Sequence, residues 1–301
     1  MNAFFPAAFF LFGLLFGSFL NVCIYRLPQE LSVVSPRSFC PGCSAPIAAY
    51  DNIPVLSWII LRGKCRNCGA RISPRYAVVE LLTGALFLLS YFAAGSIAEA
   101  VKLCVLSFLL IGLIFTDAET KLLPDLLTKP GIVLGLLSSL VVPLEGPAQF
   151  LLRATVNWRV LSVLNSLSGA ILGSAFILAV ALLYEALRGV EGMGRGDVKL
   201  MAMIGAFLGV KQTLLVLLLG SFIGSVLGLL LILRVWLKRL ARRRNRIPAE
   251  PSRQARRRAW QSATLIYRNF EIPFGVFLGI AALLSAFWGP ALVQWYVHLY
   301  R

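Results

Sequence analysis

Long apolar stretches alternate with short polar ones along almost the whole chain. Uncharged or nearly uncharged runs cover Phe4 to Ile24, Ala77 to Ala94, Val101 to Thr116, Gly131 to Leu144, Leu161 to Tyr184, Leu200 to Val210, Leu214 to Leu233 and Pro273 to Val297. Read as helices, they predict an all-α polytopic membrane protein of about eight transmembrane spans. Two runs, Gly131 to Leu144 and Leu200 to Val210, fall short of the ~20 residues a bilayer crossing needs. Irregular backbone at membrane depth survives only where it lines a cavity, so a thinned, water-reaching region is expected beside them. The first run lacks a basic segment before it and carries Asn21 towards its end, which reads as a retained first helix rather than a cleaved signal.

Composition agrees: 58% hydrophobic and 14% charged residues exclude a soluble domain. The net charge of +16 would fit a nucleic-acid binder, were it not for where the basic residues fall. With the amino terminus outside, stretches 26–75, 117–130, 188–199 and 234–270 are cytoplasmic and hold 24 of the 29 lysines and arginines, the asymmetry of the positive-inside rule. The most basic, 234–270, contains Arg242 to Arg246 and Arg253 to Arg258, with Trp260 and Tyr267 nearby. Topology and attraction to anionic lipid headgroups account for it, a docking surface for an acidic partner is the sharper alternative, and nucleic acid is not required.

The loop after the first span holds Cys40-Pro41-Gly42-Cys43 and Cys65-Arg66-Asn67-Cys68, two Cys-x-x-Cys pairs with 21 residues between them. Four thiolates from two such turns enclose one tetrahedral zinc, and disulfides are disfavoured in a reducing cytosol. A site with four cysteine ligands is closed, so a structural role is expected in a lobe too poor in core to fold alone. Cys23 and Cys104 lie in apolar segments and read as packing residues.

Asp117 and Asp197 each stand where an apolar run meets a basic cytoplasmic stretch, the second inside Gly192-Met-Gly-Arg-Gly-Asp-Val-Lys-Leu-Met201. An ionisable side chain at membrane depth is costly, so a pair on one face is a functional-site hypothesis. The only histidine, His298, lies near the carboxyl end on the outer face, which removes zinc-protease and serine–histidine chemistry. Two carboxylates and water suffice for an acid protease: they share a proton, one activating water while the other polarises the scissile carbonyl. Gly194 and Gly196 would let an extended substrate backbone approach Asp197. The plainer readings are a helix N-cap for Asp197 and an interfacial residue for Asp117. Asp125, Lys199 and Glu80 are candidate supporting groups: Asp125 as a cap or third acid, Glu80 as an intramembrane charge to be paired by Arg75 or by a basic group of the cysteine loop. A channel or transporter using the same carboxylates is the alternative class, although no inverted repeat is evident.

Taken together, Gly17 to Pro28, Tyr50 to Cys68, Arg75 to Gly84, Thr116 to Thr128, Gly194 to Leu200 and Ile272 to Leu278 resemble the bacterial type IV prepilin leader peptidases, bifunctional peptidases and N-methyltransferases with a Gly-x-Gly-Asp motif. The resemblance spans nearly the whole chain. It implies that Asp117 and Asp197 are the catalytic pair, that Cys40, Cys43, Cys65 and Cys68 hold zinc, and that the enzyme sits in the bacterial inner membrane with a cytoplasmic active site. Implied substrates are prepilins or pseudopilins, cleaved after a glycine and then methylated on the new amino terminus from S-adenosylmethionine, with pilus or type II secretion components as partners. The expected division is a first helix at 1–25, a zinc lobe at 26–75 tied to methyl transfer, a peptidase core at 76–233, a basic loop at 234–270 and a last helix at 271–301. No motif identifies the residues that bind the methyl donor; a peptidase without methylation remains open. The chain departs from the family at Ala77 and Val276, where proline is frequent.

Overall fold

A computed structural model describes residues 4–151, 156–189, 194–244, 260 and 273–299. Among them it is almost wholly helical: α1 (Phe4–Arg26), α2 (Leu56–Ile60), α3 (Arg75–Ala93), α4 (Ile97–Thr120), α5 (Asp125–Ser138), α6 (Pro147–Leu151), α7 (Trp158–Arg188), α8 (Arg195–Arg244) and α9 (Phe274–Leu299). Local signals set several ends. The Ser96 side chain accepts the Glu99 N–H to start α4, Asn157 caps α7, and Gly189 stops α7 in the left-handed conformation that a residue without a Cβ adopts freely.

Six helices among the described residues, including α8 taken whole, are long and apolar enough to cross a membrane. The expected count of eight is not confirmed, because one run is short and two are counted together in α8. Of the run Gly131 to Leu144 only the part up to Ser138 is helical, and it closes the 14-residue α5, ~21 Å long at 1.5 Å per residue. The two runs Leu200 to Val210 and Leu214 to Leu233 belong to α8, which is broken at Gly209, where φ is 73° and ψ 179°. Helix contacts show that the chain doubles back there. Gly173 of α7 faces both the Met201 carbonyl and Thr213, while Gly169 faces both Gly205 and Gly209. Met201 and Thr213 are twelve residues apart and would lie ~18 Å apart in a straight helix, so their meeting at Gly173 means that the arm after Gly209 folds back beside the arm before it.

Close helix approach rests on small residues, as it does where the surrounding lipid is as apolar as the side chains. A Cβ on Gly13 would lie 2.7 Å from the Gly84 Cα, which joins α1 to α3. A Cβ on Gly205 would collide with the Gly169 carbonyl, which joins α7 to α8. The Ser166 hydroxyl donates to the Ala206 carbonyl at 2.5 Å in the same interface. The core is formed by Leu110, Leu200, Ile204, Phe207 and Leu278, all fully buried, while Phe12, Leu15, Leu182 and Leu229 point outwards, as lipid-facing side chains do. Gly205→Ala is expected to destabilise the bundle by about 1–3 kcal/mol through overpacking, read as a lower Tm in detergent; an unchanged Tm would mean that this contact is not tight.

One end of the bundle gathers the polar machinery. The carboxyl end of α4 meets the start of α9, the start of α8 meets the start of α5, and the cysteine lobe between α1 and α3 reaches α4 through Arg75 and Glu119. In the expected basic loop, residues 245–259 and 261–270 lie outside the described residues, as do Gly192 and Met193.

Candidate active site and metal centre

Asp117 sits in the last turn of α4, where its carbonyl accepts the Lys121 N–H and the chain turns into the left-handed region at Lys121. Asp197 sits in the first turn of α8, its own N–H bonded to the Gly194 carbonyl at 3.1 Å, so it stands inside that turn rather than capping it. Both are buried, at 4% and 8% relative exposure, where an unused carboxylate would be costly. They lie close enough for the charge of Asp117 to act directly on Asp197.

A carboxylate near a helix carboxyl terminus faces the negative end of that helix dipole. For Asp117 the start of α9 offsets it: Oδ2 accepts the Val276 N–H at 3.0 Å, and the Gly275 N–H also points at the carboxylate. Gly275 is required by space, since a Cβ there would lie 2.9 Å from Asp117 Oδ2. Gly275→Ala should displace the carboxylate by a fraction of an ångström and slow peptide-bond cleavage by on the order of 10²-fold with folding intact. Cleavage at the parent rate would show that this contact does not position Asp117.

The two candidate approach glycines differ. Around Gly194 there is open space, whereas a Cβ on Gly196 would meet the Leu123 side chain at 3.0 Å. Leu123 also lies 3.2 Å from the position of a Gly275 Cβ, so one leucine of the α4–α5 connection wedges between the helix ends that carry the site. Asp125 opens α5 and pairs with Lys129 at 2.7 Å and with Lys199 at 2.5 Å. Lys199 follows Asp197 by two residues, so this pair ties α5 to the α8 start. The ammonium groups of Lys129 and Lys199 hold the Asp125 carboxyl below the usual carboxylate range. The tie is therefore present at neutral pH and is lost as pH falls through that lowered value. Glu80 is not paired by Arg75, contrary to expectation: Oε2 accepts the Val55 N–H at 2.7 Å, while Arg75 pairs with Glu119 and stacks on Tyr76. Sequence reasoning missed Leu123, Gly275 and the amide of Val276; the stretch Ile272 to Leu278 carried the signal for the last two.

In the cysteine lobe, the two pairs occupy two matching turns. Cys40 N–H donates to the Ala45 carbonyl and Cys65 N–H to the Ala70 carbonyl, and the residue after each second cysteine, Ser44 or Gly69, adopts positive φ. The Sγ atoms of Cys40, Cys43, Cys65 and Cys68 lie within 4.8 Å of one another, with Cys40 and Cys68 at 3.8 Å. An edge of ~3.8 Å is what four sulfurs at ~2.3 Å from a tetrahedral zinc require. Amides of Cys68 and Asn67 draw the Cys65 thiol down to about 7. Against the pull of the Ala70 amide, the Cys43 thiol and burial push the Cys68 thiol up to about 11. A bound dication would resolve that competition by favouring all four thiolates. The donor set fits zinc.

Two family models match the chain: residues 11–94 match the one described as Bacterial Peptidase A24 N-terminal domain, and residues 104–229 the one described as Type IV leader peptidase family. Among curated proteins, the prepilin leader peptidase/N-methyltransferase of Aeromonas hydrophila is 35% identical, covering 96% of this chain and 92% of its own length. The protein of the same name from Klebsiella pneumoniae is 43% identical over 68% of this chain and 87% of its own length. That from Pseudomonas aeruginosa is 32% identical over 95% of this chain and 91% of its own. No solved structure matches.

Proposed function

The chain belongs to the type IV leader peptidase family, and from that premise we infer that it is a membrane-embedded aspartyl endopeptidase that removes the leader of prepilins or pseudopilins and then methylates the new amino terminus. The observation that carries the peptidase half is the buried pair Asp117 and Asp197, brought together from separate helices at one end of the bundle. One carboxylate takes a proton from water as it attacks the scissile carbonyl, while the other donates a hydrogen bond to the carbonyl oxygen and then a proton to the leaving amine. Asp117 is oriented by the amides that open α9, and Gly194 leaves room for an extended backbone.

Residues 76–233 form the peptidase core, closed by the last helix from 271 onwards, and residues 26–75 form a lobe folded by zinc on Cys40, Cys43, Cys65 and Cys68, serving methyl transfer from S-adenosylmethionine. The lobe and both aspartates share one end of the bundle, and the surplus of lysine and arginine in the sequence stretches at that end supports a site at the cytoplasmic face of the bacterial inner membrane by the positive-inside rule. That side receives a basic leader, and the basic loop rests on anionic headgroups, near pilus or type II secretion components. Incubating the purified chain with a synthetic prepilin, with and without S-adenosylmethionine, tests the reading by mass spectrometry. Leader loss in both arms, with one added methyl group only in the first, is expected; ion flux without cleavage would overturn it.

A further inference from the structure

A cavity of about 880 Å³ lies beneath the cysteine lobe, walled by the inner ends of α1 and α3 and reaching Glu119 on α4. Its size falls in the roughly 300–1,000 Å³ range of small-molecule sites. It is separate from the aspartate pair. Asp117 faces α8 and α9, whereas Glu119, two residues on and rotated by ~200° about the helix, faces the cavity.

The wall presents unspent hydrogen-bonding capacity. Asn21 is 2% exposed and gives its amide N–H to the Tyr76 carbonyl at 3.0 Å, yet its Oδ1 is buried without a partner. Arg75 Nε is likewise buried and unpartnered. A buried acceptor left bare forfeits the hydrogen bond it had in water, so such an atom beside a cavity marks a place for a ligand's donor. Of the cavity's carboxylates, Asp51 is paired with Arg66 and Glu119 with Arg75. Glu80 has no cation beside it among the described residues; it is held by the Val55 N–H and the Ser18 hydroxyl. Tyr25, Tyr50, Trp58 and Tyr76 add aromatic faces. A carboxylate without a counter-ion, a bare buried acceptor and aromatic faces together fit a cationic ligand that carries a flat ring and an amine.

We propose that this cavity is the S-adenosylmethionine site, with Glu80 the carboxylate that faces the donor's positive end and the incoming amine. The proposal rests on the methyl-transfer reading above. The lone pair of the substrate's neutral α-amine attacks the methyl carbon; the N–C bond forms as the C–S bond breaks, its electron pair going to sulfur, which becomes a neutral thioether. The proton that nitrogen then sheds passes to the Glu80 carboxylate. The Arg75–Glu119 pair lines the cavity at the end of α4 that also carries Asp117, so a freshly cut amino terminus reaches Glu80 by passing along that end.

Two variants of the full chain test the assignment: Glu80→Gln, which keeps the shape and the Val55 hydrogen bond, and Val22→Trp, which fills the cavity from α1. Equilibrium binding of S-adenosylmethionine should weaken at least tenfold in each, and methylation should fall further, while leader cleavage stays within about threefold of the parent. Should Val22→Trp lose cleavage as well, Glu80→Gln decides alone. Parent-like donor binding in Glu80→Gln overturns the assignment. A parent chain that cleaves but neither binds the donor nor methylates overturns the methyl-transfer reading instead, so the two failures are distinct.

Discussion

Asp197→Asn and Asp117→Asn each lower the rate of leader cleavage by on the order of 10³-fold or more, while the chain keeps its Tm and still methylates a peptide that already lacks its leader. The fold survives because asparagine is nearly isosteric and its carbonyl oxygen can still accept the Val276 N–H at position 117. Chemistry does not survive, because an amide can neither take a proton from water nor share one with a neighbouring acid. Methylation is spared because Glu80 and Asn21 line a separate cavity whose walls include neither aspartate. Cleavage kinetics on a purified prepilin and a thermal melt check all three parts. Residual cleavage near the parent rate in either variant would remove that aspartate from the mechanism.

Cys65→Ser should release the metal, zinc falling from about one per chain to under roughly a tenth by elemental analysis. The lobe has little else to fold around. Between Leu27 and Pro74, Cys40 is the only apolar side chain that is buried, and Phe39, Ile47, Ile53, Ile59 and Ile60 are exposed. Its regular structure amounts to a five-residue helix, two 3-10 turns and two isolated bridges. Binding a structural zinc supplies on the order of 10 kcal/mol, which a lobe of this kind cannot replace. Limited proteolysis should therefore cut the variant within residues 27–74, and methylation should fall with the metal. Cleavage should fall less, because the aspartates are held by α4, α8 and α9. Zinc retained at the parent stoichiometry would rule out the four-cysteine site.

The apolar runs placed the spanning helices, and the scarcity of acids and of histidine pointed to Asp117 and Asp197, because polar side chains at membrane depth stand out against a uniform background. The cysteine pairs were legible for the same reason. What remained hidden is what backbone atoms do. The support for Asp117 comes from amides at the start of α9, and a hydrophobic pattern carries no record of where an N–H points. The reversal at Gly209 was equally silent: two apolar runs around a glycine read alike whether the chain doubles back or merely bends. Glu80 was expected to find a cation and found the Val55 amide, because a loop that passes over a helix brings backbone donors that spacing along the chain does not disclose.

The central claim is that two acids act as one unit, and a double-variant rate comparison tests it most directly. Cleavage by Asp117→Asn, Asp197→Asn and the combined variant is measured on one prepilin at one pH. If the pair shares a single water and proton, the combined loss equals that of either single change within about a few-fold. A combined loss equal to the product of two partial single losses would mean that the two carboxylates work independently, and would contradict the account.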